Sequence, residues 1–378
     1  MHMVIGIPTE TTPGETRVAL MPGMVAQLTK EGHEVLIQSG AGTASRAPDE
    51  AYVKAGARVV ADAAAVYAGA TVIFRVHPPA LSGAESIREG SVYIGYLAPL
   101  ANGQLLDVFL RRKITAFSIE YVPRITRAQS MDALTSMATI AGYKAVLLAT
   151  EKLGKMFPML MTAAGTIPPA QVLVLGAGVA GLQAIATAKR LGAKVEAFDP
   201  RPAVKDQVKS LGAAFIEMEV VENAETAGGY AKEMSDAFLK KEQEAIAARL
   251  PRTDVVISTA QVFGKRAPLL ITSAMVAQLR PGSVIVDLAA EQGGNCELTR
   301  AGETVVAHGV AIIGTENIPA MLPTDASQMY ARNITNLFLT IFPKGSTAPN
   351  FEDEITRGCC ITRDGVIVND AVRAARPA

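Results

Sequence analysis

The chain has 378 residues, and its 36 basic and 36 acidic side chains cancel. It therefore lacks the basic field of a nucleic-acid binder and the acidic tail of a solvating segment. With 49% hydrophobic and 19% charged residues it can bury large cores, and its length suits about two or three ordinary domains.

In chain order, residues 4–8 read as a first strand, without the basic start and longer apolar run of a signal peptide. Residues 22–31 show helical spacing at Met24, Val25 and Leu28, and 34–38 form a strand ending in Ser39-Gly40-Ala41-Gly42. A helix at 49–55, strands at 70–76 and 92–97, a helix at 103–112 and a strand at 115–118 follow. Strands alternating with helices predict a mostly parallel sheet covered on both faces. A proline-free helical pattern over 133–155 then leads into a second block.

The second block alternates strands 172–175, 194–198 and 214–216 with helices 180–191 and 204–211. Strands at 255–258, 284–287 and 312–315 come later, with a helix at 273–279. A second long helix over 326–342 returns the chain to the first block, and 360–362 with 366–368 read as a hairpin turning at Asp364-Gly365. The expected fold is α/β: two Rossmann-like doubly wound parallel-sheet domains, with a cleft between them and two long helices joining them. The first comprises 1–132 and 326–378, the second 133–325. Residues 217–249 stand apart as a charged excursion with a helix-like stretch at 231–248. Within it 217–240 reads as a mobile loop hinged at Gly228-Gly229.

Residues 156–188 carry no charge, but Pro158, Gly165, Pro168, Pro169 and Gln171 interrupt them. A membrane span needs ~20 apolar residues in regular helix, so none is expected there. Cys296, Cys359 and Cys360 make no disulfide framework or zinc pattern and fit a reducing compartment. His2, His33, His77 and His308 are scattered without metal-ligand spacing, and no metal is expected.

The chemistry-bearing motif is Val172-Leu173-Val174-Leu175-Gly176-Ala177-Gly178-Val179-Ala180-Gly181, an apolar strand running into G-x-G-x-x-G. Gly176 permits the tight turn, Gly178 lets backbone approach a pyrophosphate, and Gly181 lets helix pack on strand. Amides and the positive dipole end at the helix start then hold the diphosphate. The next strand ends at Asp199, 18 residues beyond Gly181, where a carboxylate accepts the adenosine ribose hydroxyls. A carboxylate repels a 2′-phosphate, which selects NAD over NADP; the nearby Arg201 complicates that, because arginine accommodates such a phosphate. Ser39-Gly40-Ala41-Gly42-Thr43-Ala44 lacks the third glycine and the acid, and reads as a plain loop.

A further constellation, Arg124-Ile125-Thr126-Arg127-Ala128-Gln129-Ser130-Met131-Asp132, lies between the strand near Tyr121 and the long helix. Arg, Gln and Asp together can hold an amide, a diphosphate or a second protein. The same residues also suit a capped helix start, with Asp132 or Ser130 as N-cap. The residues alone leave both readings open.

With these motifs, the chain resembles the NAD(H)-binding component (domain I, the first α subunit) of proton-translocating NAD(P) transhydrogenases. The resemblance covers nearly the whole chain. It is carried by Gly6-Ile7-Pro8-Thr9-Glu10 with Arg17-Val18-Ala19, by Arg124 through Asp132, and by Gly176 through Lys189. Ala227-Gly228-Gly229-Tyr230-Ala231-Lys232-Glu233-Met234 and Gly293-Gly294-Asn295-Cys296 complete it. It implies that Arg124, Gln129 and Asp132 lie at the hydride-transfer site, with Ser130 and Met131 beside them. Gln129 reaches toward the NADP(H)-bearing partner. Gly176, Gly178, Val179, Gly181, Asp199, Pro200, Arg201 and Thr259 bind NAD(H), and Gly229 and Tyr230 ride on a loop that closes over it. The resemblance further implies a homodimer on the cytoplasmic, inner face of the cell membrane. NADP(H)-binding and membrane-spanning partner subunits would join it, with no insertion of this chain itself.

The rival is alanine dehydrogenase, which shares the fold and opening motif. By resemblance its pyruvate-binding lysine and catalytic histidine are Arg75 and Ala98 here, and its catalytic aspartate is Glu291. Alanine transfers no proton, so acid–base work on an amino or keto acid has lost its agent. His77 is offset from that position, and Arg17 reads as an ion-pair partner. A non-catalytic NAD-sensing module is the third reading.

Overall fold

The computed structural model describes residues 2–218, 235–262 and 264–376. Gly228-Gly229, Tyr230 and the adjoining motif lie outside the described residues. Among the described residues the strands are β1 Val4–Ile7, β2 Glu34–Gln38, β3 Arg58–Val60, β4 Val72–Phe74, β5 Val92–Gly95, β6 Thr115–Ser118, β7 Leu160–Thr162, β8 Gly165–Ile167, β9 Gln171–Leu175, β10 Lys194–Phe198, β11 Ala214–Phe215, β12 Val255–Ser258, β13 Val284–Asp287, β14 Thr304–Ala307, β15 Val310–Ile313, β16 Cys360–Arg363 and β17 Val366–Ile367. They fold into two compact units, Met1–Met137 with Ala320–Ala378, and Ala138–Pro319.

The first unit holds a sheet of order β17-β16-β6-β5-β4-β1-β2-β3. Strands β1 to β6 pair in parallel, and the hairpin β16–β17 closes one edge antiparallel. Its turn residues Asp364 and Gly365 have φ of 51° and 80°, as a two-residue hairpin demands. The central strands are covered on both faces, so they read as unbroken apolar runs such as Val35-Leu36-Ile37 and Val72-Ile73-Phe74, all fully buried. The helix Pro323–Ile341 begins ahead of the expected 326, because proline suits the first helical turn. It buries Tyr330, Ala331, Ile334, Leu337, Phe338 and Ile341, a stripe of helical period.

The second unit holds a sheet of order β11-β10-β9-β12-β13-β15-β14. All pairs are parallel except the β14–β15 hairpin, so both sheets are mixed at one edge rather than wholly parallel as expected. Strand β14 escapes sequence reading because Val306, its most apolar outward residue, is exposed. The uncharged stretch 156–188 becomes three different elements: the separate hairpin β7–β8, strand β9 and the helix Val179–Arg190.

The helix Ala133–Lys152 ends before the expected 155, and Lys155 instead pairs with Asp254 at 2.7 Å. By length and composition this helix alone among the described residues could cross a membrane, but half of its most apolar window is buried within the protein. Its Gly142 lies against the helix Val179–Arg190, where a Cβ would stand 2.1 Å from the Ala180 carbonyl oxygen. The helix Asp236–Ala247, within the expected charged excursion, is capped by Ser235 and buries Phe238, Glu242 and Ile246. The expected helix at 273–279 is shorter, Ser273–Val276.

Each parallel sheet reverses its strand order once, between β1 and β4 in the first unit and between β9 and β12 in the second. Ligands of such sheets bind beyond the carboxyl ends of the strands at that reversal.

Candidate functional site

In the second unit the reversal point carries the glycine loop. Gly176 follows β9 with φ of 91°, a left-handed conformation that favours glycine. A Cβ on Gly181 would lie 1.8 Å from the Gly176 carbonyl oxygen, so only glycine lets the helix Val179–Arg190 start against the strand end. Gly178 is different: a Cβ there would meet only Nη2 of Arg201, at 3.9 Å, so its backbone faces open space. Val179 opens the helix and is partly exposed. The first-turn amides of a helix lack intrahelical acceptors and point outward at its positive end. The loop thus fits a diphosphate: its backbone is approachable at Gly178 and packed at the other two glycines. From the neighbouring strand end, Thr259 donates its hydroxyl to the carbonyls of Gly176 (3.0 Å) and Leu175 (3.2 Å).

Asp199, at the end of β10, is buried. One of its oxygens accepts the Ala177 amide at 2.7 Å, pinning the loop from its other side. The carboxylate also accepts from Arg201, through the backbone amide (2.9 Å), Nε (2.9 Å) and Nη2 (2.8 Å). Arg201 is therefore engaged by the same acid that the ribose reading needs. Pro200 and Asp199 line a cavity of about 100 Å3 with Phe198, Pro202, Lys205 and Phe215. Glu242 is a neighbour that the motif reading missed. Burial, and then the Asp199 charge, push its carboxyl up to about 7. Its only sequence signal is an acid on the apolar face of the helix Asp236–Ala247.

In the first unit, Thr126–Met131 form a turn of 3-10 helix that leads into the helix Ala133–Lys152. Arg124, Gln129 and Ser130 are exposed, while Met131 is buried. Asp132 caps the long helix, accepting the Thr135 amide at 2.8 Å and its hydroxyl at 2.6 Å. The Ser130 carbonyl takes Nδ2 of Asn333 at 2.9 Å, which fixes the turn on the helix Pro323–Ile341. Gln129 thus presents its amide from a braced turn.

The reversal point of the first unit carries a polar cluster. Arg75 is fully buried and donates to Glu10 (3.0 Å), the His77 carbonyl (3.0 Å) and the Tyr67 hydroxyl (3.0 Å). Arg17 forms two bonds to Glu15, and the same carboxylate meets Nε2 of His77 at 2.7 Å. Ala98 has φ of 43° and gives its amide to Glu120 at 2.6 Å. Burial pushes the Glu120 carboxyl up, against those amide bonds. Each guanidinium here already holds a carboxylate of the chain itself. Glu10, Glu15 and Glu120 escaped motif reading; only Glu10 lies in a recognisable segment, after Gly6-Ile7-Pro8-Thr9. Glu291 accepts the Asn317 amide at 2.6 Å in the second unit.

Residues 6–141 match the N-terminal domain, and residues 145–370 the C-terminal domain, of the alanine dehydrogenase/PNT family. The chain belongs to the alanine dehydrogenase/PNT family. Within that family it is 49% identical over 380 residues to an NAD(P) transhydrogenase subunit alpha chain of Rhodospirillum rubrum, covering 98% of this chain and 99% of that one. A solved transhydrogenase from Sinorhizobium meliloti matches with a TM-score of 0.88 and 42% identity, over 97% of this chain and 100% of the other. An L-alanine dehydrogenase structure matches with a TM-score of 0.84 and 27% identity, over 99% of both chains. Family members of both kinds thus share the two Rossmann-like units seen here, and their difference lies in side chains. At the two positions that distinguish the rival chemistry this family member has Arg75 and Ala98, the first locked by Glu10 and the second without any titratable atom.

Proposed function

We propose that the chain is the NAD(H)-binding α component of a proton-translocating NAD(P) transhydrogenase. It binds NADH, and hydride passes directly to NADP+ on a partner subunit, coupled to proton movement through membrane subunits. The observation that carries this reading is a complete nucleotide loop in a family member whose acid–base position is Ala98. When bound, NAD(H) supplies the hydride itself, so the transfer needs no proton donor from the protein.

The remaining work belongs to this chain's residues. Amides from Gly176 through Gly181, with Val179 at the helix start, hold the diphosphate. Asp199 accepts the adenosine ribose hydroxyls, and Pro200, Arg201 and Thr259 shape the walls around it. Arg124, Gln129 and Asp132, supported by Ser130 and Met131, orient the nicotinamide, whose reacting carbon must come within about 3–3.5 Å of its acceptor. Gly229 and Tyr230 close over the nucleotide. The chain works on the cytoplasmic, inner face of the cell membrane, held there by its NADP(H)-binding and membrane-spanning partners.

The first test uses the chain alone. It is expected to bind NADH and to leave it unoxidised in the presence of pyruvate and ammonia. Steady NADH oxidation under those conditions would move the chain to the alanine dehydrogenase branch.

The hairpin β7–β8 supports the homodimer. All six of its strand residues are exposed, and Met159, Leu160, Met161 and Ile167 form an apolar ribbon, with Met161 at 73% exposure. A two-stranded hairpin is marginal on its own and is expected to find cover. Met161→Asp with Ile167→Glu should convert the dimer to monomer in sedimentation while NADH affinity stays within about twofold. A dimer that persists at micromolar concentration would remove the hairpin from the interface.

A further inference from the structure

The segment Gly293-Gly294-Asn295-Cys296 has no part in the scheme above, yet it is among the most tightly bonded pieces of the second unit. It follows β13, whose last residue, Asp287, is fully buried. Gly293 and Gly294 both have positive φ, 94° and 79°. A Cβ on Gly294 would stand 3.0 Å from Oδ2 of Asp287 and 2.9 Å from Cβ of Thr299. The double glycine thereby lets the chain fold back so that the amides of Asn295 (2.8 Å) and Cys296 (3.0 Å) both reach the Asp287 carboxylate.

That anchor aims the Asn295 side chain, itself fully buried, at the strand end next door. Its Oδ1 accepts the Ala260 amide at 3.0 Å. Its Nδ2 donates to the carbonyls of Ala260 (2.8 Å) and Pro268 (2.9 Å). One carboxamide therefore satisfies both backbone groups of Ala260, as a pairing strand would. Ala260 directly follows Thr259, whose amide bonds Leu175 at 2.8 Å and whose hydroxyl bonds Gly176. A Cβ on Gly176 would lie 2.6 Å from that hydroxyl and 3.3 Å from the Ala260 nitrogen. The position of the glycine loop is thus set on one side by the Thr259–Ala260 backbone, and that backbone is held by Asn295.

We infer that Asn295 is a positioning residue for dinucleotide binding: it clamps Ala260 so that Thr259 holds the Gly176 turn in its diphosphate-binding shape. The inference rests on the nucleotide reading of the glycine loop. Asparagine suits the task because it offers one acceptor and two donors to one acceptor-seeking amide and two carbonyls. Aspartate would set a charge against two carbonyl oxygens, and alanine would leave three buried backbone groups without partners.

The test compares NADH dissociation constants and unfolding midpoints for the full chain, Asn295→Ala, Asn295→Ser and Ile312→Ala. Ile312 is fully buried on β15 and makes no contact in this scheme, so its truncation destabilises the unit without touching the loop. Asn295→Ala should weaken NADH binding about tenfold, the equivalent of losing the net contribution of one or two hydrogen bonds. Ile312→Ala should lower the midpoint with an unchanged constant. If Asn295→Ala does not fold, Asn295→Ser, which retains a hydroxyl too short to span Ala260, carries the same comparison. NADH binding within twofold of the parent in the folded Asn295 variant, or an equal weakening in Ile312→Ala, would overturn the clamp alone. A parent chain that binds no NADH would sink the nucleotide reading, and the clamp with it.

Discussion

Gly178→Ala is expected to weaken NADH binding by about tenfold or more while leaving the unfolding midpoint within about one degree of the parent. The backbone at Gly178 has φ of −74°, which alanine adopts freely, and the nearest atom to a new Cβ is 3.9 Å away. The methyl group therefore costs the folded chain nothing, and it occupies only the space that the diphosphate must approach. Gly181→Ala provides the contrast. Its Cβ would sit 1.8 Å from the Gly176 carbonyl oxygen, so the helix must move off the strand. That variant should lose about 1–3 kcal/mol of stability together with its affinity. Calorimetric titration and thermal unfolding of the two variants side by side read both quantities. Normal NADH affinity in Gly178→Ala would mean that no diphosphate rests on this loop.

Asp199→Ala carries the other large effect. The carboxylate performs three tasks at once: it pins the Ala177 amide, holds Arg201 by three bonds, and in the proposed function accepts the ribose hydroxyls. Its removal should weaken NADH binding by about a hundredfold, the sum of a lost charge-assisted ribose contact and a loosened loop. It also releases Arg201 beside the ribose, where a guanidinium welcomes a 2′-phosphate. The preference for NADH over NADPH should accordingly fall by about tenfold or more. Asp199→Asn keeps an acceptor for Ala177 and should lie between parent and alanine. Competition titrations with NADH and NADPH give both numbers. A strict NADH preference at undiminished affinity in Asp199→Ala would remove Asp199 from the ribose and leave it a structural acid.

How much of this was legible in the sequence depended on whether a residue's task is local. Gly176, Gly181 and the Asp364-Gly365 turn announce themselves because each answers a constraint set by its chain neighbours. Asp199 was legible as the acid ending the next strand, but its bonds to Arg201 and Ala177 were not, since they depend on how β9 and β10 align. The hairpin β7–β8 hid inside an uncharged stretch because its residues face outward on both sides and show no alternation of burial. Segment 124–132 read equally well as a site or as a capped helix start; the structure makes Asp132 the cap and leaves Gln129 exposed. The partners of Arg17 and Arg75 stayed hidden for another reason. Glu10 and Arg75 are far apart in sequence, and only the β1–β4 pairing brings them to one strand end. Asn295 was visible as part of a motif, yet its task could not be read, because Ala260, the residue it holds, carries no signal at all.

The most direct test of the central claim is rapid mixing of this chain, loaded with a reduced nicotinamide nucleotide, with the NADP(H)-binding component loaded with an oxidised NADP analogue of distinct absorbance. The account predicts a burst of hydride transfer between the bound nucleotides, slowed by Gln129→Asn at nearly normal NADH affinity. No transfer with both nucleotides bound, or transfer untouched by Gln129→Asn alongside collapsed NADH affinity, would contradict it.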